Sequence, residues 1–330
     1  MFSIIEQKFG IRPEQFFKLT GYDAFMANQL LYIMISVHEN EQKELPERYY
    51  LTNFLRENGE KYVPVFVPAL DGTFVHQKEG GYFVLLMLDR WENAPVSDSG
   101  YELANFHKKG FGMQIEIKNL NRTGQWKTFW EKRLDQLEDV WKKTVMAGPG
   151  NDFETYFAES FPYYSAMAEN AIQYFVDTII DETPGPFDVG TVTHERFSPQ
   201  TWSGMPVWKN PFQWIVDHPS RDLAEWIRFV YFHYPQTYPA YVQRFFSAYE
   251  KVMPVSSFGK RLLYSRLLFP VHYFRCIEYY YIRLQVNANV KQDIAELKKI
   301  IKTSEQYENF LAEILKITGF PGMPVPDWLR

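Results

Sequence analysis

Two stretches of the chain hold the residue types that chemistry at a phosphate or a hydroxyl would need. The first runs THERFSPQTW from Thr193 to Trp202, and the second NPFQWIVDHPSRDLAEWIR from Asn210 to Arg228. A histidine, His194, and the carboxylates Glu195, Asp217 and Asp222 fall in or between them, with Asp188 just upstream. A phosphotransferase acting on a small hydroxyl compound could draw its general base and metal ligand from Glu195, Asp188 or Asp217. Other chemistries lack their motifs: the chain contains no GxxxxGK[ST], GxGxxG, GxSxG or HExxH. The histidines His38, His76, His107, His194, His218, His233 and His272 show no metal-ligand spacing, and Ser198 falls where a zincin's second histidine would stand. A single cysteine, Cys276, excludes an internal disulfide and a cysteine-based zinc site.

The layout of the two stretches resembles the aminoglycoside and choline kinase-like fold. In that fold the catalytic loop reads roughly HxDxxxxN, a metal-binding aspartate follows, and a second aspartate in a phrase like RDLA comes about a dozen residues later. Here Arg221-Asp222-Leu223-Ala224 supplies the phrase, and twelve residues before Asp222 lies Asn210. His194 matches the family histidine and Pro199 a proline common in these loops. The helix phrase FPYYSAMAENAIQYFVDT (Phe161 to Thr178) and YVPVFVPALDGTFV (Tyr62 to Val75) are similar to the spore coat kinase-like branch, the CotS family of Bacillus.

What the resemblance implies about catalysis is loss. Phosphoryl transfer needs a lysine on the phosphates, metal ions held by Asp and Asn, and an aspartate at the substrate hydroxyl. Arg196 stands in place of the catalytic aspartate, Thr201 in place of the metal-binding asparagine, and Asn210 in place of the metal-binding aspartate. Ile35 stands where the phosphate lysine is expected, and no glycine-rich loop precedes it, only Gly21 and then Asp23 to Asn28. Neutral donors at Thr201 and Asn210 leave a Mg²⁺ site without its carboxylate charge, and a guanidinium at Arg196 cannot accept a proton. These positions therefore predict neither catalytic residues nor a cofactor or metal. Arg196 is expected to be buried inside the former site, making a salt bridge or backbone hydrogen bonds there with a partner such as Glu195, Asp188 or Asp217.

The elements that must position these residues change character along the chain. Apolar runs at Tyr22 to Met26 and Gln29 to Val37, broken at Ala27-Asn28, predict a hairpin. A helix with Leu45, Tyr49 and Leu55 on one face follows, with Gly59 past its end. Tyr62 to Leu70, an Asp71-Gly72 turn, Thr73 to His76, and a Gly80-Gly81 turn into Tyr82 to Leu88 predict a meander. Beyond Asp89 the period becomes helical. Trp130, Leu134, Leu137, Trp141 and Val145 form one stripe, and Phe161, Tyr164, Ala168, Ala171, Phe175 and Ile179 another, with Pro162 starting or kinking that helix. Residues 187 to 217 are irregular, with short strands predicted at Gly190 to Thr193 and Gln213 to Val216. Ile294, Leu297 and Ile301 mark a further helix, Thr303 with Gln306 predicts a capping box, and Asp222 is expected to cap a helix through Leu223 to Glu225. The order of elements is α+β, and the resemblance implies a two-lobed protein-kinase-like, aminoglycoside phosphotransferase-like fold. Its β-rich N-lobe is expected over 1–88 and its mainly helical C-lobe over 89–330, with a degenerate catalytic loop over 193–217.

Composition narrows the function classes. The chain has 330 residues, 46% hydrophobic and 18% aromatic, which excludes intrinsic disorder. With Lys plus Arg at 35 against Asp plus Glu at 40, the net charge is −5 and the signs are interspersed, so no nucleic-acid partner is expected. The longest apolar runs, about eight residues, fall short of the roughly 20 of a membrane span. The start, MFSIIEQKFG, has neither the basic region nor the apolar core of a secretory signal. The helical spacing of Trp130 and Trp141 favours core packing over stacking on sugars or bases. The tracts Trp226 to Tyr238 and Tyr273 to Tyr281 either pack against each other or leave a patch for partners. The resemblance implies a spore coat component made in the mother-cell cytoplasm, with other coat proteins as partners, and the residues at the site imply that it is non-catalytic. The alternatives are the phosphotransferase named above and a small-molecule sensor using the interlobe cleft.

Overall fold

The computed structural model describes residues 2–78, 80–89, 99–204, 206–286, 289–320 and 322–329. The stretch 90–98, where strands were expected to give way to helices, lies outside the described residues. The elements run α1 (Phe2–Phe9), β1 (Gln15–Leu19), β2 (Tyr22–Ala27), β3 (Leu30–Val37), α2 (Leu45–Glu57), β4 (Val65–Val67), β5 (His76–Lys78) and β6 (Gly81–Leu88). Then come α3 (Ser99–Lys109), α4 (Trp126–Ala147), α5 (Asp152–Asp181), β7 (Thr191–His194), β8 (Trp214–Asp217), α6 (Ser220–His233) and α7 (Tyr238–Glu250). The chain closes with α8 (Ser257–Leu268), α9 (Val271–Gln285), α10 (Lys291–Lys302) and α11 (Ser304–Ile317). Packing divides it into two compact units. The first is 1–122 with 190–222 and 248–254, and the second is 123–189 with 223–247 and 255–330, a different division from the expected 1–88 and 89–330.

The first unit is built on an antiparallel sheet in the order β1-β2-β3-β6-β4, with β5 also paired to β6. Its hairpins are set by backbone chemistry. Thr20 (φ 47) and Gly21 (φ 92) join β1 to β2, and Asn28 (φ 50) and Gln29 (φ 63) join β2 to β3. Two consecutive positive φ values make the tight turn whose twist matches that of paired strands. The hairpin expected at Ala27-Asn28 is thus present, and the strand before it was not foreseen. The expected meander differs. Asp71 Oδ1 does accept the Thr73 N–H, forming the turn at Gly72, but β4 and β5 each pair with β6 and not with each other. The strand shrinks to Val65–Val67 because Tyr62 sits at φ 61 and Pro64 and Pro68 flank it.

Alternating side chains on β3 and β6 give the sheet two apolar faces. One carries Leu31, Ile33, Ile35, Val37, Val84, Leu86 and Leu88, joined by Trp208. The other carries Tyr32, Met34, Phe83 and Leu85 under α1 residues Ile5 and Phe9. On α2 the buried residues are Leu45, Glu47, Arg48, Leu51, Thr52 and Leu55. Tyr49, expected on that face, is exposed and lays its ring near Phe66 and Phe74.

The second unit is helical. Trp126, Trp130, Leu134 and Leu137 of α4 are buried, while Val145 is exposed where the stripe runs out. On α5, Phe161, Tyr164, Ala168, Ala171 and Phe175 are buried and Ile179 is exposed, and Pro162 lies inside the helix. Trp130 stacks on Phe269 at 4.9 Å, and Tyr164 on Tyr273 at 3.8 Å. In the aromatic tracts Trp226, Tyr231, Tyr273, Phe274 and Tyr280 are buried, and Phe232, Tyr234 and Tyr279 are exposed. No side-chain cap forms at Thr303. Its hydroxyl donates back to the Lys299 carbonyl, because α11 follows α10 with no extended residue at the joint.

Candidate functional site

The site begins with two short strands. β7 pairs antiparallel with β8, Thr191 opposite Asp217 and His194 opposite Trp214, so His194 is delivered at the end of a buried strand. Asp222, in the first turn of α6, reaches back to it. The Asp222 carboxylate accepts the His194 backbone N–H at 3.0 Å, His194 Nδ1–H at 2.7 Å and His107 Nε2–H at 3.1 Å. His107 Nδ1 in turn accepts the Tyr249 hydroxyl at 2.8 Å. All four side chains are buried. Burial opposes the charge on Asp222, but the His194 and His107 contacts outweigh it and hold its pKa well below the ordinary carboxylate value. Desolvation pushes His107 down and keeps it neutral. Asp222 therefore does not cap α6 through Leu223 to Glu225 as expected. Its acceptors go to His194 of β7 and His107 of α3, and the helix already starts two residues earlier, at Ser220.

From His194 the loop runs past residues that would do the chemistry. Arg196 is exposed and not buried as expected. Of its expected partners, Asp217 is buried and accepts Arg221 Nε at 2.5 Å and the His218 N–H at 2.8 Å. Asp188 belongs to the second unit, where it accepts the Gly185 N–H and the Ser256 hydroxyl. Thr201 Oγ1 accepts the Ser198 N–H at 2.9 Å. Asn210 spends its amide locally: Oδ1 accepts the Phe212 N–H at 2.9 Å and Nδ2 donates to the Tyr22 hydroxyl at 3.0 Å. Neither residue presents the set of hard anionic oxygens that Mg²⁺ requires, so the donors here do not fit that ion. Among the described residues no group of three His, Cys, Asp or Glu is placed to hold a metal.

Three residues that sequence reasoning passed over organise the rest. Trp208 packs into the same apolar cluster as Ile35, and its Nε1–H donates to Thr20 Oγ1 at 3.2 Å, tying the loop to the β1–β2 turn. Lys209, 1% exposed, forms an ion pair with the buried Glu60, and its ammonium lies 4.2 Å from the Trp202 ring centroid. Desolvation lowers the Lys209 pKa against the opposing pull of Glu60. Arg48 donates to the Pro211 and Trp214 carbonyls at 2.6 and 3.3 Å and so fixes the path of the loop into β8. The one available signal was adjacency, since Trp208 and Lys209 directly precede Asn210. A cavity of about 130 Å³ lies between the β1–β2 turn and the loop, with Trp208 and Asn210 buried in its wall.

The sheet order, the β7/β8 pair and the aspartate tie from α6 to β7 invite comparison with known proteins. The family model described as "Spore coat putative kinase YutH" matches residues 2–314. The chain belongs to the YutH family of spore coat proteins. It is 39% identical over 308 residues to the endospore coat-associated protein YutH of Bacillus subtilis (strain 168), covering 93% of this chain and 90% of that protein. Among solved structures, an aminoglycoside phosphotransferase from Alicyclobacillus acidocaldarius aligns with a TM-score of 0.69 at 13% identity over 94% of both chains. Spectinomycin phosphotransferase APH(9)-Ia aligns at 0.60 with 13% identity, covering 91% of this chain and 93% of its own. The fold is therefore aminoglycoside phosphotransferase-like, as the family resemblance implied. Within it, the family positions His194, Thr201 and Asn210 lie in one compact unit with Ile35, and each is committed to contacts of its own.

Proposed function

We propose that this protein is a non-catalytic member of the kinase-like fold that acts by binding, as a component of the spore coat. One observation carries the reading. Trp208 and Ile35, which the resemblance sets where a nucleotide and its lysine would meet, belong to one buried apolar cluster, and the cavity beside Trp208 is about 130 Å³. Pockets that take drug-sized ligands run from about 300 to 1,000 Å³. The tight Thr20–Gly21 turn points the same way, since a two-residue turn offers few backbone N–H groups to phosphates. The coat assignment rests on the coat-associated relative, and synthesis in the mother-cell cytoplasm is part of the proposal. Binding would involve other coat proteins. The exposed rings Tyr234 and Tyr241, 5.5 Å apart, supply the aromatic chemistry that interface cores favour. Glu195, exposed at the loop, and Asp217, held by Arg221, are poorly set as base and metal ligand for a rearranged phosphotransferase.

Calorimetry with the full chain at millimolar Mg²⁺ and ATP tests the reading. No saturable binding is expected. A dissociation constant tighter than about 10 μM, roughly −7 kcal/mol, would sink it.

A further inference from the structure

We propose that the cavity beneath the Thr20–Gly21 turn is a binding site for a neutral, hydroxyl-rich ring of monosaccharide size. The proposal rests on the reading that no nucleotide uses this space. Its lining is chemically selective. Thr20, Tyr22 and Thr201 contribute hydroxyls, Asn210 and Gln213 amides, and Trp208 an aromatic wall. None of these side chains is charged at neutral pH. A phosphate or carboxylate would find no cation, and a cation would find no carboxylate. A purely apolar ligand would strip water from hydroxyls and amides without replacing their hydrogen bonds. What fits is a molecule that carries both donors and acceptors on an uncharged frame.

Size and preorganisation agree with that class. A cavity of about 150 Å³ admits one six-membered ring, as benzene does in an engineered protein cavity. The room here, about 130 Å³, is of that order and open at one side, so the ring's outer hydroxyls can stay in water. The polar groups are already fixed. Tyr22 accepts from Asn210 Nδ2 and retains its own proton to donate. Thr201 accepts the Ser198 N–H, and its hydroxyl lies 3.4 Å from that of Ser198. Trp208 is locked by its bond to Thr20 and by the edge-on Tyr22 ring, 5.7 Å between centroids. Gln213, exposed at the rim, is placed to reach the outer hydroxyls. Little side-chain freedom is lost on binding when the groups are held in advance.

The test titrates the full chain with D-glucose and N-acetylglucosamine by saturation-transfer difference NMR and calorimetry. The same titration is run with inorganic phosphate and with Mg-ATP. A saturable dissociation constant of about 1–10 mM is expected for at least one sugar, in keeping with the per-atom efficiency of small ligands. Gln213→Ala, an exposed change that leaves the fold alone, should weaken it about 5-fold, and Thr201→Phe should abolish it by filling the space. Absence of saturation by both sugars up to 50 mM, roughly the limit of useful affinity for one ring, overturns the proposal. So does phosphate binding more tightly than either sugar, or unchanged sugar affinity in both variants. Binding of Mg-ATP would instead overturn the non-catalytic reading, so the two failures are told apart.

Discussion

Removing the Asp222 carboxylate is the sharpest probe of how the site is held. In Asp222→Ala three buried donors lose their acceptor together: the His194 backbone N–H, His194 Nδ1–H and His107 Nε2–H. Hydrogen bonds to a charged group contribute about 1.5–3 kcal/mol each, so the gross loss is on the order of 5–9 kcal/mol. Part returns because a buried carboxylate no longer has to be desolvated, and deleting one partner of a buried charged network typically costs about 3–5 kcal/mol. We expect about 4 kcal/mol, a large share of the 5–15 kcal/mol that holds a typical domain together. Urea unfolding at pH 7, followed by tryptophan fluorescence and far-UV circular dichroism in parallel, measures it. The sign of the pH dependence is fixed by the depressed pKa of Asp222. Its stabilisation is complete above about pH 4, the unfolded value, and is lost as pH falls toward and through the folded value. The gap between parent and variant should therefore narrow below about pH 4. A loss under about 1 kcal/mol at pH 7, or a gap that widens in acid, would refute the hub role.

Two further perturbations follow from buried groups. Glu60→Ala leaves the Lys209 ammonium, 1% exposed, without its ion-pair partner, and should destabilise by about 3 kcal/mol. The double change Glu60→Leu with Lys209→Met should recover most of that in the same urea assay; additive losses would mean the pair is not the reason. Cys276 is buried with its thiol pushed up to about 12, so the native chain should stay unreactive to Ellman's reagent at pH 8 and react fully in guanidinium. Rapid native labelling would contradict that packing.

Local chemistry made part of this fold legible in the sequence. The Ala27-Asn28 break, the Asp71-Gly72 turn and the helix stripes on α4 and α5 are written in residue types whose preferences act over a few positions. β1 was missed because QFFKL is half polar and short, and it becomes a strand only by pairing with β2. The strand at Tyr62 to Leu70 was overextended because apolar content outweighed two prolines and one left-handed backbone position. At the site, His194 and Asp222 were legible through the family phrase, and the structure ties them together by 2.7 Å. His107, Tyr249 and Glu60 were not, since their partners lie 49 to 149 residues away and no local pattern marks them. Trp208 was equally silent. A tryptophan in a loop announces burial but not what it is buried against.

The charges on α2 and its neighbour have a consequence for where the chain can be cut. Glu47 accepts the backbone N–H groups of Lys118, Asn119 and Leu120, and these bonds hold its pKa down despite its burial. Arg48 and Glu60 likewise find partners only beyond residue 108, at Lys109, Lys209, Pro211 and Trp214, apart from the Arg48 bond to Glu44. A fragment ending at residue 88 would keep every strand of the large sheet and strand three charged side chains at its base. Such a fragment would be expected to precipitate or remain unfolded when expressed alone, whereas the strands joined to residues 99–122 and 190–222 would retain their counterparts. The sheet is contiguous in sequence, but the partners of Glu47, Arg48 and Glu60 come from segments far apart along the chain.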